Sequence, residues 1–338
     1  WIPQHLSLRD EAGRLVGAAP LYLKLNSYGE FVFDWSWAHA YDRVGLSYYP
    51  KLVSAVPYTP VAGPRLLVHP QAREDAVCER LIDGALALAQ RLGVSSLHWL
   101  FTPEAQTARL ESRAFYRRTG CQFHWANRGY ADFDAFLAAL TAQRRKKIKR
   151  ERRKVAEAGV SFRLLDGAGA TESDWHLFHR LYASTFHRRG GLPTLSPGFF
   201  KEIAATMGQQ VLLVLADHGG RTVAGAFCLV GDRALFGRHW GCTEAFDSLH
   251  FEACYYQGID YCIRRGLDRF EPGAQGEHKI WRGFLPTYTW SAHWIADPRF
   301  RDSIERFLRL ESEAMVDYVD ELAGHSPYRL PEGARTTA

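Results

Sequence analysis

The stretch Glu271-Pro272-Gly273-Ala274-Gln275-Gly276-Glu277-His278-Lys279, with Arg282 three residues on, gathers carboxylates, an imidazole and two cations around a glycine-rich turn. This set suits acyl transfer to an amine, which needs a base for the amine proton and donors for the oxyanion that develops on the carbonyl. Glu271, Glu277 or His278 could take the proton, while Lys279 or Arg282, one turn apart on a short helix, could stabilise the anion. A strand end meeting a helix N-terminus would add backbone N–H donors. The competing account of the same residues is an ordinary turn with surface charges. No metal is expected: the chain has neither a Cys-x-x-Cys pair nor a His-Glu-x-x-His helix.

A second set is purely cationic. Between Arg144 and Lys154 stand nine Lys or Arg residues and one acid, Glu151, whereas the other 33 basic and 36 acidic residues nearly cancel. So local a field implies an anionic partner, because Lys and Arg grip phosphates by point charge and by forked contacts. Arg144, Arg145, Lys146, Lys149 and Arg150 are its candidate contacts. A phosphorylated small molecule, a lipid-linked precursor or transfer RNA would satisfy them equally, and a solvated linker helix is the alternative. Arg144 and Glu151, seven apart, interrupt the apolar stripe Leu137, Leu140, Ile148, Val155 of a helix expected over 134–159, where they could pair with each other or meet a ligand. Tyr28, Trp35, Tyr49 and Lys51, from an aromatic and proline-rich segment over 27–64, and Arg238 and His239, on a later strand, complete the candidate substrate-binding residues.

The elements that must position these residues follow from periodicity. Residues 5–8 and 15–19 alternate as a hairpin, 27–64 reads as a long ordered loop, and 71–92 has helical spacing ending at Gly93. A strand over 96–101, a helix over 104–118 stopped by Gly120 and a strand over 121–130 follow. The second half repeats the order, with a hairpin (211–216, 222–230) about His218-Gly219-Gly220, a strand over 234–241, a helix over 251–265, a strand over 268–272, a short helix over 276–284 and a strand over 287–295. Gly13-Arg14-Leu15-Val16-Gly17-Ala18 matches Gly220-Arg221-Thr222-Val223-Ala224-Gly225 locally. The fold expected is α/β, two tandem modules of mixed sheet flanked by helices: 1–133, a basic linker helix over 134–159, 160–325, and a flexible tail over 326–338. The start at Trp1, without Met, suggests that part of the first module is missing.

Other signals exclude classes. Six cysteines without regular spacing read as free thiols of a reducing compartment, and neither a signal peptide nor an apolar run of spanning length occurs, so a cytoplasmic location is expected. Arg14-Leu15-Val16-Gly17-Ala18-Ala19 matches a pyrophosphate-loop pattern literally, but it sits in a hairpin strand before Pro20 with no helix behind it, so it does not support acetyl-CoA use. His98-Trp99, His124-Trp125, His239-Trp240 and His293-Trp294 each fall in an expected strand, where core packing explains most of them.

The runs PLYLKLNSYGEFVFDWSWAHAY, YYPKLVSAVPYTPVAGPRLL, RRKKIKRER, HRRGGLPTLSPGFF and FEPGAQGEHKIWRGFLP resemble the bacterial FemAB-like proteins of peptidoglycan biosynthesis or recognition, within the GNAT superfamily. The resemblance covers nearly the whole chain and implies a double-GNAT fold with a cleft between modules. It implies an N-acyl or aminoacyl transferase moving an activated acyl group to an amine of an anionic, cell-wall-precursor-like acceptor. The donor would be a co-substrate, aminoacyl-tRNA or acyl-CoA, with no tightly bound cofactor. Relatives carry a catalytic lysine in a Phe-Lys-x-x-Phe-type segment; here Trp281 stands at the strict lysine position and Lys279 two residues earlier. The alternative is a non-catalytic module that binds a phosphorylated cell-wall precursor or nucleic acid.

Overall fold

The computed structural model describes residues 1–188, 190–274 and 276–329. In chain order the elements are β1 (Ile2–Pro3), β2 (Leu6–Arg9), β3 (Leu15–Ala19), β4 (Tyr22–Lys24), α1 (Trp35–Asp42), β5 (Lys51–Ser54), β6 (Leu67–Val68), α2 (Glu74–Leu92), β7 (Ser96–Thr102), α3 (Glu104–Glu111) and β8 (Tyr116–Ala126). Then come α4 (Phe133–Ala139), α5 (Ala142–Glu157), β9 (Ser161–Leu165), α6 (Glu172–His187), α7 (Pro197–Met207), β10 (Val211–His218), β11 (Arg221–Val230) and β12 (Ala234–Cys242). Last are α8 (Leu249–Phe251), a π turn (Glu252–Tyr256), α9 (Gln257–Arg265), β13 (Arg269–Glu271), a 3-10 helix (Glu277–Arg282), β14 (Leu285–Ile295) and α10 (Pro298–Gly324).

Among the described residues the chain forms two compact units, 1–122 with 287–321, and 123–286 with 322–329. The basic helix expected as a linker therefore lies inside the second unit, and 287–321 return to the first. Its apolar stripe is the reason: Ile148 and Val155 are buried, so α5 is packed rather than solvated all round.

In the first unit the sheet order is β1-β4-β5-β7-β14, with β5 and β7 parallel and the other neighbours antiparallel. The hairpin expected at the start forms, yet it breaks near Pro20. Its outer half, β2 and β3, joins β6 in a small separate sheet that α2 covers. Helix α2 buries Val77, Cys78, Leu81, Ile82, Ala85, Leu88 and Ala89, one face at helical spacing, and ends at Gly93 in the left-handed conformation.

Two readings of this half need correction. Segment 27–64 contains α1 and β5; β5 was hidden because all four of its residues are buried, which erases the alternation of a half-exposed strand. The helix expected over 104–118 stops at Glu111, and Gly120 lies inside β8, where a Cβ would come 2.9 Å from Thr289 Oγ1. That glycine marks a close approach rather than a helix end.

In the second unit the order is β13-β12-β11-β10-β9, with β12 and β13 parallel, the rest antiparallel, and β8 residues Trp125 and Ala126 paired to β13. Both units thus run antiparallel strands into one parallel pair through a helix, α2 between β5 and β7 and α9 between β12 and β13. The helix expected over 134–159 is two helices. Leu140 and Thr141 are extended and α5 begins at Ala142; Thr141 N donates to Pro327 O and Arg329 N to Ala139 O, which fixes the break. Residues 326–329 of the expected tail are thus docked, and 330–338 lie outside the described residues. The Arg14 to Ala19 string lies in β3, with no helix following.

Candidate active site

Strand β13 ends at Glu271, and the chain turns through Gly273 and Gly276, both at positive φ, into the 3-10 helix. Glycine is required at 276, since a Cβ there would meet the His278 ring at 2.4 Å. The three-residue repeat of the 3-10 helix stacks Lys279 and Arg282 on one side, and both are buried. Lys279 is 2% exposed and its Nζ donates to Gly273 O at 2.6 Å. Burial lowers its ammonium to a pKa of about 8.

Glu271 is 4% exposed; Oε1 accepts from Arg269 Nε at 2.8 Å, and Oε2 is buried without a hydrogen-bond partner. Burial raises its carboxyl pKa against the pull of Arg269. His124 Nε2 stands 3.9 Å from that Oε2, and burial, then Arg269 and Lys279, hold the imidazole neutral with a pKa of about 4. His124 was read from the sequence only as a strand histidine; its pairing with Glu271 arises from the β8–β13 register, which no local motif encodes. Glu277 and His278 are exposed, and His278 Nε2 lies 2.9 Å from Tyr255 Oη.

Arg282 has a different place from the one expected. It is 3% exposed, Nη1 donates to His278 O at 2.8 Å, Nη2 to Glu151 Oε1 at 2.8 Å, and the guanidinium lies 3.3 Å from the Phe251 ring centroid. Tyr256 Oη donates to the other oxygen of Glu151. These partners make Arg282 a structural clamp between α5 and the 3-10 helix. Arg144 does not pair with Glu151; it stacks on Trp281 at 3.7 Å.

Arg238 and His239, from β12, line a cavity of about 90 Å³ together with Gly237, Cys254, Tyr255 and Pro272. It opens where β12 and β13 cease to pair beyond Phe236 and Glu271. Burial lowers Arg238 to about 10 and, with Arg238 adding, His239 to about 3. His250, on the same wall, is held near 4 by burial and then by His278, Arg282 and Lys279.

On α5, Arg145, Lys146, Lys149 and Arg150 line an open groove of about 620 Å³. Lys149 pairs with Asp134 at 3.2 Å. Among the described residues no carboxylate lies within ion-pair distance of Arg145, Lys146 or Arg150.

The first-unit candidates separate. Tyr28 is exposed and packs edge-on to Trp35 at 5.3 Å, and Tyr49 Oη lies 2.9 Å from Ser27 Oγ. Lys51 is fully buried: Nζ donates to Ser27 Oγ and Glu30 Oε2, both at 2.8 Å, and to Asp34. Its donors are spent on the protein, which corrects its reading as a substrate contact. Burial raises Glu30 to about 7, whereas at Asp34 burial is outweighed by Lys51, His98 and Ser27 acting together, which lower it to about 2. All four His–Trp pairs lie in strands, and His98 and His293 meet through Nδ1 atoms 2.7 Å apart, one donating to the other. All six cysteines are free thiols. Among the described residues no helix is long and apolar enough to cross a membrane.

Solved structures share this architecture. The C-terminal domain of a protein assigned as a lysylphosphatidylglycerol synthetase in Agrobacterium fabrum superimposes with TM-score 0.56 at 8% identity, covering 90% of this chain and 88% of that one. L-PGS from Bacillus licheniformis gives 0.55 at 10% identity over 90% and 89%. FemX gives 0.54 at 12% identity over 90% of each chain. No curated protein matches the sequence. The FemAB-like family, described as peptidoglycan biosynthesis/recognition, matches residues 1–330. The chain, with a buried Glu271–His124 pair at the end of β13 and a buried Lys279 in the 3-10 helix that follows, thus belongs to the FemAB-like family.

Proposed function

We propose that this chain transfers an activated acyl or aminoacyl group to an amine of an anionic, cell-wall-precursor-like acceptor, and that Lys279 and Glu271 carry the chemistry. The observation behind this reading is the pairing of opposite needs at one strand end: a buried ammonium with no carboxylate partner and a buried carboxylate oxygen with no donor. Glu271 accepts the proton of the attacking amine. The amine nitrogen bonds to the acyl carbon, and the Lys279 ammonium donates to the developing oxyanion. Collapse of the adduct breaks the ester or thioester bond, and protonated Glu271 passes its proton to the departing oxygen or sulfur, which leaves as the tRNA hydroxyl or the CoA thiol. Arg238 and His239 wall the acyl cavity, and the cations of α5 hold the acceptor's phosphates. The donor is aminoacyl-tRNA or acyl-CoA, a co-substrate rather than a resident cofactor. The chain acts on the cytoplasmic side, where both donors are made.

The test uses labelled aminoacyl-tRNA and acetyl-CoA as donors and a nucleotide-linked muramyl peptide as acceptor. Lys279→Ala is expected to lower turnover about 100-fold, and unchanged turnover would remove Lys279 from the chemistry. Acceptor binding with no product from either donor would favour the module that only recognises its ligand.

A further inference from the structure

The 3-10 helix that carries Lys279 is six residues long, and a helix of this kind, with its poorer hydrogen-bond geometry, depends on partners outside itself. Within the element, Lys279 N donates to Gly276 O at 3.0 Å and Phe284 N to Lys279 O at 3.3 Å, and Gly283 closes the end in the left-handed conformation. The outside partner at that end comes from the last described residues of the chain. Tyr328 Oη donates to Gly283 O at 2.8 Å, from a segment expected as a flexible tail. The contact demands glycine at 283: beyond its φ of 95°, a Cβ there would come 2.9 Å from the Phe136 ring and 3.0 Å from Tyr328 Oη.

Tyr328 is itself held from several sides, all within the second unit. It is buried, the Arg128 guanidinium lies over its ring at 4.3 Å, and its neighbours are tied to the break between α4 and α5, Pro327 O by Thr141 N at 2.9 Å and Arg329 N to Ala139 O at 3.0 Å. Arg329 Nε adds a bond to Leu140 O at 3.1 Å, and His325 stacks on Trp281, inside the 3-10 helix, at 6.0 Å. Burial, and then Tyr130, raise the Tyr328 hydroxyl well above the usual phenol range, so it keeps its proton and stays a donor. An anchor for a loose end needs only apolar burial. Here the buried hydroxyl is spent on a backbone carbonyl four residues from Lys279, and a displacement of about 1 Å at a catalytic group can cost about 100-fold in rate. We propose that residues 325–329 form a strap that completes the active-site scaffold, and that Tyr328 is a positioning residue: by holding Gly283 O it fixes the helix that aims the Lys279 ammonium. That role rests on the catalytic reading of Lys279 above and adds the element that keeps the ammonium in place.

Tyr328→Phe in the full chain tests it, because the ring and its stack on Arg128 stay and only the hydroxyl goes. In the transfer assay above, kcat is expected to fall about 10-fold with KM unchanged. The Lys279 titration should move up from about 8 toward 10.5, since a loosened helix lets water reach the ammonium. That midpoint is read without substrate, from the pH above which the unfolding free energy begins to rise. Cys254, His124, His250 and His278, the ionisable groups coupled to Lys279, are the same in both proteins. Gly283→Ala, which presses on the same contact, should reproduce both changes, with thermal melts confirming that each variant folds. A Tyr328→Phe protein that melts earlier but keeps its kcat, KM and Lys279 midpoint would make the strap a simple anchor and overturn the proposal. So would a rise in KM at unchanged kcat. If Lys279→Ala lowers turnover while Tyr328→Phe moves neither kcat nor the midpoint, only the positioning role falls. If the midpoint moves in Tyr328→Phe while Lys279→Ala leaves turnover unchanged, Tyr328 does position Lys279 and the catalytic reading falls.

Discussion

In the first unit Lys51 is sealed in the core and faces two carboxylates and a hydroxyl; in the second, Lys279 is equally deep and faces one backbone carbonyl. The strand ends differ in the same sense. At the end of β7 the segment 61–65 closes over the strand: Gly63 N donates to Phe101 O, and the Arg65 guanidinium donates to the carbonyls of Leu100, Val61 and Gly63. Beyond β13 a cavity remains, walled by Arg238 and Tyr255. A buried lysine matched by carboxylates is a staple, because its charge is spent on holding the chain. One left unmatched carries its desolvation as a lowered pKa and is available for chemistry. The two units share a strand plan, and the comparison assigns structure to the first and reaction to the second.

The largest expected effect breaks the staple. Lys51→Met leaves Glu30 and Asp34 buried without their cation and should cost about 3–5 kcal/mol in urea unfolding. A variant that stays stable but loses transfer would move Lys51 into the binding machinery and erase the contrast. Lys279→Ala should do the reverse, with turnover falling about 100-fold and stability by only about 1 kcal/mol, the worth of one hydrogen bond. Glu151→Gln weakens the charged partner of Arg282 and should cost about 1.5–3 kcal/mol in the same unfolding measurement.

Titration sharpens the contrast further. Folded Glu30 holds its proton from about 4.5 up to about 7, so its contribution to stability is complete below about 4.5 and is lost as pH rises through about 7. Folded Lys279 releases its proton near 8 rather than 10.5, so the unfolded chain binds more protons in that window and stability rises with pH from about 8 to about 10.5. Unfolding free energies measured across both windows should lose the first slope in Glu30→Gln and the second in Lys279→Met. The smallest effect is on α5: Arg145→Glu with Lys146→Glu should change stability by less than about 0.5 kcal/mol while weakening pyrophosphate binding. A large loss of stability there would mean that these cations hold the fold.

Much of this was legible in the residues. The 3.6-residue spacing of Val77 to Ala89, the glycine after α2, the β10–β11 hairpin and the strand–turn–helix around Glu271 to Arg282 all stand where the pattern puts them. What the pattern missed has physical reasons. Strand β5 is buried on both faces and shows no alternation. Gly120 marks close packing against Thr289 and mimics a helix stop. Within the site, Lys279 and Glu271 are local to one motif and readable, whereas His124 reaches Glu271 only through strand register, and the Glu151–Arg282 clamp spans 131 positions of sequence. Residue type alone could not separate Lys51 from Lys279, since the distinction lies in what each ammonium meets once buried.

The pH dependence of acyl transfer tests the central assignment most directly. If the Lys279 ammonium stabilises the oxyanion, the rate should fall as pH rises through about 8, and Lys279→Arg, which stays charged, should keep that limb flat. Wild type and Lys279→Arg descending together through that pH, or neither descending at all, would contradict the account.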